Sequence, residues 1–283
     1  MCGGTTRHYD SNAPKEIKST DMLFFKAESE LPIPFGERSD LSGTLEFISA
    51  FAAKLEGGSF LLLETLELYE KRECSWAFVS EDVFPPLVKL VNDEQLAKGN
   101  GEHSFTHGLP KNFGGEVKIN YADGEVISFS DNQCPILSME FGVELRSLFS
   151  EAMKTAGAPL PCAESIIAVK FFDENDFGYT RCTLKPNDEG GYTLNKIYKF
   201  EEPKLYEYTK NVSGDVIERI RAAAEKNAVL LWDRLPQVEY KLPCRKALTF
   251  VFEDGSEQTI SDDRTVPSQL YDAFYAIERE LTV

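Results

Sequence analysis

No stretch of the chain approaches the run of about 18 apolar residues that a membrane-spanning helix needs, so none is expected. The N-terminal segment MCGGTTRHYDSNAPKEIKSTD is polar from its third residue. It lacks the apolar core of a secretory signal and reads as a cytoplasmic start. Positive charge is also scarce: 30 Lys and Arg face 47 Asp and Glu, for a net charge of −17. A nucleic-acid or anionic-membrane surface must supply positive charge, so both are excluded as expected partners. The densest basic pair, Lys71-Arg72, is flanked by Glu70 and Glu73 and forms no patch. The acidic excess reads as solubility through self-repulsion.

Catalytic and cofactor motifs are missing as well. The chain holds no GxGxxG, no GxxxxGK[ST] and no GxSxG, which excludes the usual dinucleotide loop, P-loop and nucleophile elbow. Six cysteines fall at 2, 74, 134, 162, 182 and 244, with no CxxC pair. They are too sparse in 283 residues for a disulfide framework or a zinc ribbon, and read as small, mostly buried free thiols. No catalytic, cofactor-binding or metal-ligating residue is assigned, and no cofactor is expected.

What is present is an ordinary globular balance, with 42% hydrophobic and 27% charged residues. The length fits one large or two ordinary domains. The strongest signal is internal similarity. Gly57-Gly58 before FLLLETLEL matches Gly190-Gly191 before YTLNKIYKF. Val79-Ser80-Glu81-Asp82-Val83 matches Val212-Ser213-Gly214-Asp215-Val216, and Leu109-Pro110 matches Leu235-Pro236. VKINYADGEVISFSD (117–131) matches LTFVFEDGSEQTISD (248–262). Val117, Ile119 and Tyr121 alternate, as do Leu248, Phe250 and Phe252, which is the period of a half-buried strand. Asp123-Gly124 and Asp254-Gly255 supply tight hairpin turns.

A helix is expected to follow each Val-Ser match. The second opens on a Ser213 or Asp215 cap and carries Ile217, Ile220, Ala224 and Leu231 on one face. Pro85-Pro86 push the start of the first to near Phe84. A further helix follows each hairpin, with stripes Phe141, Leu145, Leu148, Phe149 and Leu270, Phe274, Ile277, Leu281. Strands are expected at 22–29, 44–55, 59–68 and 73–79, and at 165–173, 177–185, 191–200 and 205–212. The alanines of 44–55 also allow a short helix there. The expected fold is α+β: two tandem repeats, each a mainly antiparallel sheet with two helices in the order ββββ-α-ββ-α. A loose polar tail spans 1–20, the first repeat 21–152, a linker 153–164 and the second repeat 165–283.

Four local patterns are candidate sites. Glu102-His103-Ser-Phe-Thr-His107 holds two of the three histidines. Its Gly/Ser/Pro-rich setting argues against a helix, and on a strand the two rings would lie roughly 13 Å apart, too far to share a metal; a loop could bring them together, but the pair reads as two exposed loop histidines. Asp173-Glu-Asn175-Asp176-Phe-Gly178 lacks calcium-loop register and reads as an acidic turn. Ser130-Asp131-Asn132 has no SxxK or KTG partner and recurs as Ser-Asp in the second copy, so it reads as structure. Asn211-Val212-Ser213 is a formal glycosylation sequon at an expected helix cap.

The segment GLPKNFGGEVKINYADGEVISFSDNQ (108–133) resembles a group of uncharacterised bacterial proteins. The likeness rests on Gly108, Leu109, Pro110, Tyr121, Ala122, Gly124, Glu125, Asp131, Asn132 and Gln133. The tail GGT…NAPKEIKSTD is similar to their start. The resemblance implies no activity and no catalytic residue. The expected function is therefore a non-enzymatic protein-interaction or structural role in the cytoplasm, with a protein partner. One alternative is an enzyme or small-molecule or metal-binding protein with an asymmetric site near His103 and His107 or between the repeats. Another is a surface lipoprotein anchored at Cys2.

Overall fold

The computed structural model describes residues 4–32, 44–109, 114–155, 157, 162–175, 178–200, 205–236, 246–261, 266 and 268–282. The chain is α+β and divides into two compact units, Met1–Pro159 and Leu160–Val283. Each unit is built on its own sheet, the first of eight strands and the second of six. Among the described residues, no helix is long and apolar enough to cross a membrane.

The first unit runs β1 (Thr5–Tyr9), β2 (Met22–Glu30), β3 (Leu45–Leu55), β4 (Gly58–Glu67) and β5 (Glu73–Val79), then α1 (Phe84–Asp93). It continues through β6 (Glu102–Thr106), β7 (Gly115–Tyr121), β8 (Val126–Asp131) and α2 (Met139–Met153). The strand order across the sheet is β1-β6-β8-β7-β2-β3-β4-β5. All neighbours are antiparallel except β6 and β8, which run parallel. The expected four strands, helix, hairpin and helix therefore do not describe this unit. Residues 5–9 and 102–106, read as a tail and a loop, are strands that pair with each other from His8↔His103 outward.

The ambiguous segment 44–55 is a strand because its apolar residues serve two faces. Ile48, Ala50 and Ala52 join Phe25, Leu61, Leu63, Val117 and Ile119 in the core under the helices. Phe47, Phe51 and Ala53 lie on the opposite face and are also buried. There Phe24 meets Phe51 edge-on at 5.1 Å, and Phe51 meets Phe60 at 6.0 Å. A continuous apolar run with buried alanines mimics a helix until both faces are seen to be covered.

Local chemistry sets the helix starts. The Asp82 carboxylate accepts from Phe84 N at 3.1 Å, and the two prolines occupy the first turn of α1, where no backbone donor is needed. Ser138 caps α2 by accepting from Phe141 N at 3.1 Å. Between β7 and β8, Gly124 sits at φ +91, and Asp123 Oδ1 accepts from Glu125 N at 3.0 Å. Tyr121 ends β7 in the core, and its hydroxyl has no hydrogen-bond partner among the described residues. Burial, then the Glu125 and Asp123 carboxylates, push its phenol up to about 12. Tyr121→Phe is expected to keep stability or raise it by about 1 kcal/mol in urea unfolding, because it removes an unpaired buried hydroxyl. A loss of similar size would show that the hydroxyl is bonded.

The second unit runs β9 (Ile166–Asn175), β10 (Gly178–Pro186), β11 (Tyr192–Phe200), β12 (Leu205–Val212), α3 (Asp215–Lys226), β13 (Lys246–Phe252), β14 (Glu257–Ser261) and α4 (Ser268–Thr282). Its sheet order is β12-β11-β10-β9-β13-β14, all antiparallel. Val169, Phe171, Leu184, Leu194, Leu248 and Phe250 supply its buried strand positions. Ile217, Ile220, Ala224, Phe274, Ile277 and Leu281 supply the buried helix stripes. Neither Ser213 nor Asp215 is the N-cap of α3. Gly214 is, with no side-chain cap bond, while Ser213 Oγ accepts from Asp215 N at 3.2 Å. Leu231 lies beyond α3, in the 3-10 turn Val229–Arg234.

Candidate functional site

Titratable residues converge at the β1-β6-β8 end of the eight-stranded sheet. His8 on β1 faces His103 on β6, with ring centroids 6.4 Å apart and planes tilted by 31°. His103 stands opposite Ser130 on β8, and its Nδ1 lies 2.9 Å from Ser130 Oγ. Directly opposed residues share a face, so the row continues across the sheet. Ser130 is followed by Glu116, Glu28, Ser49, Glu64 and Cys74, one residue per strand. A polar row thus crosses the same face that carries Phe24, Phe51 and Phe60.

The carboxylates of the row are set by burial and by each other. Desolvation raises the Glu28 carboxyl above its ordinary range, with Lys26 opposing it and Glu116 and Glu64 adding to it. Lys26 Nζ pairs with Glu116 at 2.7 Å. Glu64, only 5% exposed, receives Arg72 Nη1 at 3.0 Å, and that guanidinium lies 4.6 Å from the centre of the Phe47 ring. At the far edge, burial and Glu64 push the Cys74 thiol up, away from the nucleophilic thiolate.

Two buried asparagines hold this end together. Asn100 Nδ2 donates to Val126 O at 2.8 Å and to Pro14 O at 3.0 Å, while its Oδ1 accepts from Ser128 N at 2.7 Å. Asn132 Oδ1 accepts from Thr106 N at 2.7 Å, and its Nδ2 donates to Thr106 O at 3.1 Å. These amides bracket β6 where the parallel ladder to β8 has only two residue pairs. The segment between β1 and β2 is stapled in turn. Lys15 Nζ donates to Lys98 O at 3.0 Å and Asn100 O at 2.7 Å, and it pairs with Glu102 at 2.9 Å. Glu125 Oε2 accepts from Lys18 N at 2.9 Å and Ser19 N at 2.8 Å. The expected loose tail is therefore a structured strand and strap from residue 4 onward. Three of the residues that carry the resemblance fall on this junction: Glu125 and Asn132, as described, and Gln133, which donates to Thr5 Oγ1 at 3.0 Å.

Three clefts of about 420, 580 and 270 Å³ open here, and His8 and His103 line all of them. The expected His103/His107 pair is not brought together. His103 turns to Ser130, whereas His107 Nε2 lies 3.4 Å from Thr6 Oγ1. Both histidines sit on or beside a strand, where a spacing of four residues separates them along the chain direction. The partner of His103 is His8, in the segment expected to be a polar tail. The run Thr5-Thr6-Arg-His-Tyr9, rich in β-formers, was its one local signal. Of the remaining candidates, Ser130-Asp131-Asn132 ends β8 with Asp131 Oδ1 accepting from Gln133 N at 2.6 Å. Asp173 pairs with Lys246 at 3.4 Å, while 176–177 of the acidic turn lie outside the described residues. Asn211 lies in β12. Cys2 and Cys244 lie outside the described residues. Among the described residues, no group of three or more His, Cys, Asp or Glu is placed to hold a metal ion.

Burial, and then the neighbouring His8, hold the His103 imidazole below its ordinary range, with Glu116 opposing. The neutral ring is thus the folded form, and the stability it contributes is fully present above about pH 6.5. That contribution is lost as pH falls through this value and on through the depressed folded pKa. The raised Glu28 and Glu30 carboxyls act in the opposite direction, favouring the folded state more as pH falls toward their unfolded range. His103→Gln is therefore expected to flatten only the imidazole part of the Tm–pH curve between about pH 7 and 5. An unchanged slope would contradict the burial assigned to His103.

Four described cysteines are free, but contrary to the expectation of mostly buried thiols only Cys182 is buried, while Cys74, Cys134 and Cys162 are exposed. Burial pushes the Cys182 thiol up to about 11. In peptide mapping after iodoacetamide treatment, Cys182 is expected to react only once urea has unfolded the chain. The three exposed thiols are accessible in the native protein, with Cys74 and Cys134 slowed by burial and their neighbouring carboxylates; native labelling of Cys182 would show that the second core opens.

No protein-family model matches the chain, and no curated protein matches it significantly.

Proposed function

We propose that the chain is a duplicated α+β unit acting as a cytoplasmic, non-enzymatic interaction protein. What supports the duplication is a shared path through the two sheets. The order β8-β7-β2-β3-β4-β5 runs as β14-β13-β9-β10-β11-β12 does, with β1 and β6 as additions on the first sheet. Both hairpins use Asp-Gly with the aspartate accepting two residues on, Asp123 from Glu125 N and Asp254 from Ser256 N. After α1, Gln95 adopts φ +58 before a 3-10 turn; after α3, Ala228 does so at φ +51. A left-handed non-glycine residue at the same place in each half is a costly coincidence for unrelated chains.

The observation that carries the functional reading is what the halves have in common. They share cores, hairpins and helix exits, and the His8–His103 pair has no counterpart in the six-stranded sheet. Selection for chemistry would be expected to keep polar groups; selection for a scaffold keeps packing and turns. The surface we assign to a partner is β12, the edge strand of its sheet, where Leu205 is 58% and Tyr206 is 42% exposed. An extended partner segment adds to such an edge through backbone hydrogen bonds. The test is affinity capture from native lysate with wild type and Leu205→Asp, followed by rebinding of the purified captured protein. The reading expects one partner whose rebinding is weakened at least tenfold by the substitution. A metabolite turned over by the wild type, and no longer by His103→Gln, would overturn it.

A second reading is favoured by the clefts around His8 and His103. They arise from strands that only the first sheet has, which is where an asymmetric small-molecule or metal site would lie.

A further inference from the structure

We propose that His8 and His103 together bind a divalent transition-metal ion of the zinc class, held by two imidazoles with water completing the coordination. The proposal rests on the second reading above and names its ligand class. The two residues are directly paired across adjacent strands, so the strand pairing fixes their backbone spacing. In a tetrahedral site with zinc–nitrogen bonds near 2.0 Å, the centroids of two imidazoles lie about 5 Å apart. The observed 6.4 Å is within reach of a side-chain rotation of each ring, with no movement of β1 or β6.

The second feature is orientation. A metal-bound imidazole usually gives its other nitrogen to a polar partner that fixes the ring. His103 has that arrangement, with Ser130 Oγ 2.9 Å from Nδ1. When Nδ1–H donates to the hydroxyl, Nε2 carries the lone pair a metal takes. The His8 side chain makes no hydrogen bond among the described residues, so ligation breaks none there. The clefts on both sides admit water to the remaining positions. Imidazole selects zinc, nickel and copper over magnesium and calcium, which prefer oxygen donors.

The experiment is calorimetric titration of the full, untagged chain with zinc chloride and separately with magnesium chloride at pH 7.5. His8→Gln, His103→Gln and His107→Gln serve as variants, each checked for native circular dichroism. Saturable binding of one zinc per chain is expected, weakened at least tenfold by His8→Gln and by His103→Gln. His107→Gln and magnesium should behave as the unaltered chain and an inert salt. Absence of zinc binding, or binding that survives both His8→Gln and His103→Gln, overturns the proposal. A thermal-shift panel of metabolites on the same proteins separates the two failures. A shift that His103→Gln abolishes, without zinc binding, leaves the cleft a ligand site and removes the metal. A flat panel together with no zinc binding removes both.

Discussion

Asn100→Ala is expected to cost about 3 kcal/mol and to detach β1 and β6 from the eight-stranded sheet. The substitution removes one acceptor and two donors at once. It leaves Ser128 N, Val126 O and Pro14 O without their amide partner. Each orphaned buried backbone group costs about 1–3 kcal/mol, and part of that is recovered where water reaches the exposed strap. The effect is local because β6 meets β8 through only two residue pairs. In native-state hydrogen exchange, protection should fall at residues 5–9 and 102–106 while the amides of β3 and β4 keep theirs. Zinc binding should fall with it, since His8 and His103 are held in register by the same strands. Undiminished protection over 102–106 would show that Asn100 is not the clamp.

Phe149→Ala is expected to cost about 3–5 kcal/mol, the largest effect of any substitution considered. Phe149 is fully buried on α2, with its ring 6.3 Å from that of Phe25 on β2. Truncation removes an aromatic ring from the junction of helix and sheet, where close packing prevents full collapse. The exposed face of the same helix supplies the control. Val143 is 51% exposed, and Val143→Ala should change stability by no more than about 0.5 kcal/mol. Urea midpoints of the two variants at constant m-value are the measurement. Similar midpoints would mean that α2 is not docked through Phe149.

The local elements were legible wherever one rule decided them. Period-2 alternation in 117–121 and 248–252 marked strands, Asp-Gly marked the hairpins, and the two prolines marked the start of α1. Stripes such as Phe141, Leu145 and Phe149 marked a helix because one face alone is buried. The segment 44–55 was half legible: its alanines fit a helix or a strand covered on both faces, and only the covering settles which. The start of α3 was legible only to within a residue: Ser213 Oγ accepts from Asp215 N as a cap would, yet the helical backbone begins one residue later, with Gly214 at the boundary.

The sequence by itself determined the acidic balance, the absence of a membrane-spanning run, the hairpins and the amphipathic helices. Each of these depends on residues close together in the chain. The tertiary structure alone decided that residues 5–9 and 102–106 become strands. Neither segment has an apolar face to bury. Their pairing depends on contacts between segments far apart in sequence: Asn100 reaches Pro14, Val126 and Ser128, Asn132 bonds Thr106, and Glu125 holds the strap. For the same reason the sequence named His103 and His107 as the candidate pair, while the fold paired His103 with His8. Two side chains four residues apart on a strand cannot converge, whereas two directly opposed on adjacent strands, as His8 and His103 are, lie side by side.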